Sequence, residues 1–288
     1  AGGSSAMGGM ASALAALEVV RALLDLLWLL ICIRLKSLIV RNTSWTAVDE
    51  FETRADMTPA ATAVLETATG AAFTFRDVDE AANALAHWLL QRRLQAGDVV
   101  VVLKGTGMRY VAAWLGVAKA GGTAALVAPS LRGSTLRHAV SVALEHTPAE
   151  RRVVVCDPGL AEAVASAGLL ERMPGLTLAV DEPPGPEVPL PPGAVRLGPE
   201  LRLLPRTRAD AACRALVGWS SPLCLIYTSG TTGLPKASRF GHLRFWMAAK
   251  AMATLCRLGP RDRIYCALPL HHASGGMMGV GAGVLSGC

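Results

Sequence analysis

From residue 98 onward, apolar residues fall into short unbroken runs, and between the runs they recur at every third or fourth position. An unbroken run of four to eight reads as a strand buried on both faces, and the three-four spacing as a helix face. The pattern predicts strands over 98–103, 123–127, 153–156 and 176–180, and helices over 108–120, 134–144 and 160–170. Strands without polar alternation, separated by helices, pair in parallel and are covered on both sides. The expected fold is therefore α/β, doubly wound, with largely parallel sheets and flanking helices. Upstream, 45–53 and 75–93 carry helical spacing, and 61–65 and 73–75 read as a strand pair around Thr69-Gly70. Downstream, the pattern predicts strands at 223–227 and 262–266, a helix over 242–256 and a Gly-rich helix over 277–285.

Two stretches break the rhythm. Residues 14–40 are apolar almost throughout and end in Arg34, Lys36 and Arg41. A spanning helix needs about 20 apolar residues, and this stretch reaches that length only by including Glu18, Arg21 and Asp25. We expect a membrane anchor, spanning or lying in the interface, with the rest of the chain on the cytosolic side, next to the basic cluster. The competing expectation is an apolar helix packed on the protein or a partner. Residues 182–205 are Pro-rich and are expected to be an irregular exposed linker. The resulting division is a disordered segment 1–13, the apolar helix 14–40, a first α/β subdomain 45–181, the linker 182–205 and a second α/β subdomain 206–288.

Composition narrows the classes. The chain has 288 residues, 52% of them hydrophobic, which excludes disorder. Its net charge of +6 is dispersed, with no dense basic run, so nucleic acid is not an expected partner. The seven cysteines form no Cys-x-x-Cys pair, and they read as reduced thiols with no zinc site. The start at Ala1 and the stop at Cys288, directly after an apolar Gly-rich segment, read as cut ends. Gly105-Thr-Gly107 lacks the third glycine of a dinucleotide turn.

The most loaded stretch is Tyr227-Thr-Ser-Gly-Thr-Thr-Gly-Leu-Pro-Lys236. Gly230 and Gly233 allow a sharp turn and close backbone approach. Successive N–H groups in such a turn make an anion site. The hydroxyls of Thr228, Ser229, Thr231 and Thr232 add donors, and Lys236 adds a fixed charge. This is chemistry for a polyphosphate. It is not a Walker A loop, which requires Gly-Lys-Ser/Thr. A second stretch, Leu268-Pro-Leu-His271-His272, comes after a predicted strand end, where open α/β sheets place ligands; the residues alone equally allow one histidine capping the next helix and one facing solvent.

The first stretch resembles, at every fixed position, the phosphate loop of the adenylate-forming (AMP-binding) enzymes: acyl-CoA synthetases, luciferases and peptide-synthetase adenylation domains. Leu268-Pro-Leu-His-His-Ala-Ser-Gly275, with Met278-Gly-Val-Gly281 after it, is similar to a segment of the fatty acid transport protein, or very-long-chain acyl-CoA synthetase, branch. Trp114-Leu-Gly-Val-Ala-Lys-Ala-Gly-Gly122 and Leu131-Arg-Gly-Ser-Thr-Leu-Arg-His138 resemble two more of its segments. The resemblance covers roughly residues 45–288. His271 stands where that branch usually has Tyr, and Ser130 where it has Asn.

The resemblance implies the N-terminal part of the large domain of such an enzyme. It implies ATP-dependent ligation of long- or very-long-chain fatty acids to CoA through an acyl-adenylate, with Mg²⁺ and coupled to fatty acid uptake. Thr228, Ser229, Gly230, Thr231, Thr232, Gly233 and Lys236 would hold the ATP phosphates, Lys236 and Thr231 acting in catalysis. His271 and His272 would line the acyl site, and no protein metal ligand is expected. The expected location is endoplasmic reticulum or plasma membrane, with the enzyme facing the cytosol. The family's later motifs would lie past Cys288, so these residues alone are expected to make no acyl-CoA. The alternatives are another adenylate-forming acid-CoA ligase and a non-catalytic membrane lipid-uptake or binding protein.

Overall fold

A computed structural model of the chain describes residues 3–41, 43–182, 188–229 and 234–288, and the side chains of these apart from residues 3–13 and 229. Helix α1 runs Gly3–Val40, so it begins inside the stretch expected to be disordered. Helix α2 (Ala47–Met57) leads to the antiparallel pair β1 (Thr62–Leu65) and β2 (Ala72–Thr74), and then to α3 (Phe75–Gln91). Thr74 and Asp77 close a reciprocal cap at the start of α3: the Asp77 N–H donates to the Thr74 hydroxyl at 3.1 Å, and the Thr74 N–H to the Asp77 carboxylate at 2.8 Å.

The winding then proceeds through β3 (Val99–Leu103), α4 (Met108–Lys119), β4 (Thr123–Leu126), α5 (Gly133–Leu144) and β5 (Val153–Cys156). Helix α6 (Pro158–Ser166) and the short α7 (Leu169–Arg172) come next, then β6 (Thr177–Val180). The single helix expected over 160–170 is split in two, because Gly168 turns left-handed at φ 68°. The Pro-rich stretch expected to be irregular carries β7 (Val195–Arg196) and α8 (Leu197–Arg202). Most of its prolines precede these elements; Pro199 stands near the start of α8, where a missing N–H costs no helix bond, and Pro205 follows its end.

Beyond it come β8 (Pro222–Ser229), β9 (Pro235–Gly241), α9 (His242–Leu255), a π-helical segment Ser274–Gly281 and α10 (Ala282–Ser286). Residues 262–266, expected to be a strand, are irregular. Tyr265 there is 79% exposed, and without a neighbouring strand its backbone has no ladder to join.

Among the described residues these strands form one sheet in the order β7-β6-β5-β3-β4-β8-β9, parallel except for β9. Alternate residues of each central strand enter opposite cores. Val100, Val102, Val153, Val155, Cys224 and Ile226 pack under α2, α3, α4 and the π-helical segment. Val101, Leu103, Val154, Cys156 and Leu225 pack under α5, α6 and α7. A full burial of each Val or Leu contributes about 1.5–3 kcal/mol. The first core depends on close contact between α3 and α4: a Cβ on Gly116 would stand 2.9 Å from the Ala82 carbonyl oxygen.

A third cluster joins α1 and α9 through Val40, Leu243 and Trp246, with Trp45 and Trp219 beside them. Here His242, 1% exposed, accepts the Ala47 N–H on Nδ1 at 3.0 Å and so caps α2 from the start of α9. Burial, opposed by nearby Asp49 and aided by Arg214, pushes its imidazole down to about 4. The unfolded chain takes up this proton near the ordinary value of 6.5, the folded one only near 4. Between these values the unfolded state binds more protons, so stability rises with pH. Acidification from pH 7 to pH 4 is expected to remove about 3 kcal/mol through this group. Urea unfolding across that range, compared with His242→Asn, measures it. Identical pH slopes in the two proteins would show that His242 is not held neutral.

Candidate functional site

The polyphosphate-type stretch includes the end of β8 and the start of β9. Strand β8 lies beside β4 in parallel register, Ala124 opposite Cys224 and Leu126 opposite Ile226. Strand β9 returns antiparallel, with Thr228 opposite Lys236 and Ser229 opposite Pro235. The sequence offered no sign of β9, whose residues mix polar and apolar without a period. Gly230, Thr231, Thr232 and Gly233 lie outside the described residues.

Residues directly opposite in an antiparallel pair project to the same face, with Cβ atoms about 4.5–5.5 Å apart. Lys236 and Thr228 therefore lie side by side on one face, and both residues are exposed. Thr228 continues the row Cys224-Ile226, which faces the core that also holds Leu270 and Met277. The alternate row faces the other way. Tyr227 donates its hydroxyl to the Ala139 carbonyl at 2.7 Å, and His138 Nε2 lies 3.2 Å from the Pro235 carbonyl oxygen. Burial raises the Tyr227 phenol above its ordinary range, so it stays a neutral donor. Helix α5 thus grips both strands at the base of the loop. His138 sat inside a family-like segment, but nothing in the sequence told what it touches.

The histidine segment comes after α9. Leu270 is buried, His271 half-buried and His272 exposed, and the two imidazole rings lie 4.5 Å apart, tilted by 44°. Burial, and then the neighbouring His272, hold His271 below the ordinary histidine range. The His272 N–H donates to the Pro269 carbonyl at 3.1 Å, and the Gly276 N–H to the His272 carbonyl at 2.9 Å, so a turn leads into the π-helical segment. Only glycine fits there: a Cβ on Gly275 would stand 2.8 Å from the Leu268 carbonyl oxygen and closer still to that of Pro269. Trp114 of α4 backs this turn, edge-to-face with Phe245 at 5.5 Å. The structure thus brings Thr228 and Lys236 together, and His271 with His272, on one face of the sheet. Among the described residues no hydrogen bond or ion pair joins the two groups.

The crevice where a doubly wound sheet reverses its winding lies between β3 and β5. Ligands of open α/β sheets bind at such points, but here the protein fills it. Lys104, 1% exposed, bonds Asp157 and, at 3.0 Å, Asp181; Arg109 bonds Asp181, and the Gly105 N–H donates to Asp157 at 2.7 Å. Glu66 accepts the Met108 N–H at 2.9 Å and occupies the start of α4, where a pyrophosphate would otherwise sit. A cavity of about 200 Å³ adjoins this cluster, floored by Leu85, Ala113, Val155, Leu197 and Leu201, with no residue of the hairpin or the histidine segment in its walls.

A largely parallel sheet flanked by helices is the fold of the adenylate-forming enzymes. The chain belongs to the AMP-binding enzyme family, whose profile matches residues 51–288. It is 32% identical to long-chain fatty acid transport protein 1 of Rattus norvegicus over 264 residues, which make up 90% of this chain and 38% of that protein. It is also 32% identical to long-chain fatty acid transport protein 5 of Homo sapiens, over 86% of this chain and 36% of that one. The chain thus spans well under half the length of these curated relatives. Among solved structures, the anthranilate CoA ligase AuaEII with anthranoyl-AMP superposes with a TM-score of 0.69 at 21% identity, covering 83% of this chain and 44% of that one. ATP-bound MatB from Rhodopseudomonas palustris gives 0.65 at 22%, covering 84% and 44%.

The plugged crevice yields a stability prediction. Removing one partner of a buried charge cluster leaves uncompensated charge behind and costs about 3–5 kcal/mol. Lys104→Met is expected to lower unfolding stability by that amount in urea titrations. A loss under about 1 kcal/mol would mean that water already reaches Asp157 and Asp181.

Proposed function

We propose that the whole protein joins a long- or very-long-chain fatty acid to CoA at the expense of ATP, and that it does so at a membrane. The supporting observation is the shared sheet face, which carries Thr228 with Lys236 at its edge and the His271–His272 turn over the same core. The resemblance to fatty acid transport proteins points to the acid. In the first half-reaction a carboxylate oxygen attacks the α-phosphorus of ATP in line; the α–β bridging bond breaks and pyrophosphate leaves. In the second, the CoA thiolate attacks the acyl carbon, the acyl–phosphate bond breaks, and AMP leaves.

Lys236 and the hydroxyls of Thr228, Ser229, Thr231 and Thr232, with the backbone of Gly230 and Gly233, hold the β- and γ-phosphates. Negative charge grows on the leaving pyrophosphate as its bond breaks, so a cation held there stabilises the transition state more than bound ATP. His271 and His272 form the wall of the acyl site. His271, kept neutral by burial and by its neighbour, adds no cation beside the acid. Among the described residues no group of three or more His, Cys, Asp or Glu side chains gathers to hold a metal. Mg²⁺, which the family uses with ATP, would add positive charge at the phosphate oxygens when bound. Helix α1 associates with membrane, the body facing the cytosol at the endoplasmic reticulum or plasma membrane, and ligation traps incoming acid as its CoA ester.

In the whole protein, Lys236→Ala is expected to lower oleate-dependent pyrophosphate exchange by about 10²–10³. Transfer from supplied oleoyl-adenylate to CoA should change far less, because pyrophosphate has already left. An equal fall in both half-reactions, with the fold intact, would remove Lys236 from the phosphate site.

A further inference from the structure

Helix α1 is apolar all round, and the body covers only one side of it. From Asp25 onward, the residues shielded from solvent are 25, 29, 32, 33, 36, 37 and 40. They recur at three and four, which is one stripe of a helix. Leu29 and Val40 are buried in this stripe, and Cys32 and Ile33 pack against the cluster of Leu243 and Trp246. Its two charges are answered by the body. Asp25 pairs with Arg257, just past the end of α9, at 2.8 Å, and Lys36 pairs with Glu50 at 3.0 Å while standing 4.0 Å over the Trp45 ring. Arg257 takes up a left-handed conformation, φ 52°, to leave α9 at this point.

The opposite side is no less apolar. Leu27 is 55% exposed, Trp28 57%, Ile31 41% and Leu38 46%. Such a face needs a second apolar medium, and Arg21 and Arg34 on the helix with Arg41 just past its end, all exposed, match an anionic one. A spanning helix does not satisfy these contacts. The docked part, from Asp25 to Val40, is about 22 Å long at 1.5 Å per residue, and hydrocarbon is about 30 Å thick. Crossing would strip Asp25 and Lys36 from their partners and leave them in lipid, where a charge costs several kcal/mol. Among the described residues no helix is long and apolar enough to cross a membrane.

The geometry points to a surface-lying helix: α1 stays latched to α9 by Asp25–Arg257 and rests its outer face on the headgroup-acyl boundary of an anionic bilayer, both its ends on the side of the body. Arginine stems lie along the apolar surface while the guanidinium reaches phosphate. Helix α9, the element that α1 grips, also packs on the π-helical segment behind the histidine turn. One helix therefore separates the bilayer contact from the proposed acyl site. This inference rests on the membrane reading above and adds the placement.

Two measurements separate the placement from that reading. The first is flotation of the whole protein with preformed vesicles of phosphatidylcholine and phosphatidylserine. Co-flotation is expected, falling several-fold in the double variant Leu27→Glu, Ile31→Glu with thermal unfolding unchanged. Loss of flotation at every lipid composition would overturn both the membrane reading and the placement; a concentration-dependent dimer under those conditions would assign the face to a second copy. The second uses microsomes and a peptide tag joined ahead of Ala1. Protease added outside should cut this tag as readily as one on the body, and Trp28 fluorescence, taken as the difference from Trp28→Phe, should be quenched more by lipids brominated near the carbonyls than near the bilayer centre. A protected tag or deepest quenching at the centre, with flotation intact, would overturn the surface-lying placement alone.

Discussion

The structure depends on two-sided burial of its central strands. A parallel strand with an apolar residue at every position is stable only between two covered faces, and here successive residues of β3, β5 and β8 alternate between two helix layers. Each buried Val or Leu contributes about 1.5–3 kcal/mol, more than the roughly 1 kcal/mol net of a ladder hydrogen bond. The pairing is therefore driven by the faces, and the hydrogen bonds set its register. Because β8 obeys the same alternation, Thr228 and Tyr227, adjacent in sequence, point to opposite layers. One extends toward the candidate site and the other anchors it to α5.

Charge is then used to close what burial leaves open. The winding reverses between β3 and β5, and Lys104, Arg109, Asp157 and Asp181 fill that crevice as a neutral set. A second set, with Lys119 between Glu52 and Asp79 and with Arg208 and Arg214 on the same carboxylates, ties the segment after α8 to α2, α3 and α4. Lys119 is 2% exposed, so its charge is tolerable only because two carboxylates meet it. Both places are thus occupied by the protein's own ions.

Coupling between the layers is mechanical and short. His242 caps α2 from the first residue of α9, Trp114 of α4 backs the turn after His272, and α1 rests on α9. The elements that carry the proposed chemistry are thus each one contact from the apolar helix or the first core.

Much of this was legible in the chain itself. The strands β3, β4, β5 and β6 and the helices between them were readable because an unbroken apolar run has one stable environment, whatever lies around it. The loop chemistry of residues 227–236 was equally readable, since glycine freedom, hydroxyls and a lysine are local properties. Where the partner decides, the reading stopped. Residues 235–241 have no strand pattern and are a strand because β8 offers its edge, whereas 262–266 look like a strand and stay irregular for want of one. The Pro-rich stretch hid β7 and α8, which exist through contact with β6 and α3. Likewise an all-round apolar helix announces that it must be covered, but not by what. Only the folded body, with Arg257, Glu50 and Trp246 placed along one stripe, decided which side of α1 belongs to the protein and which side is left for something else.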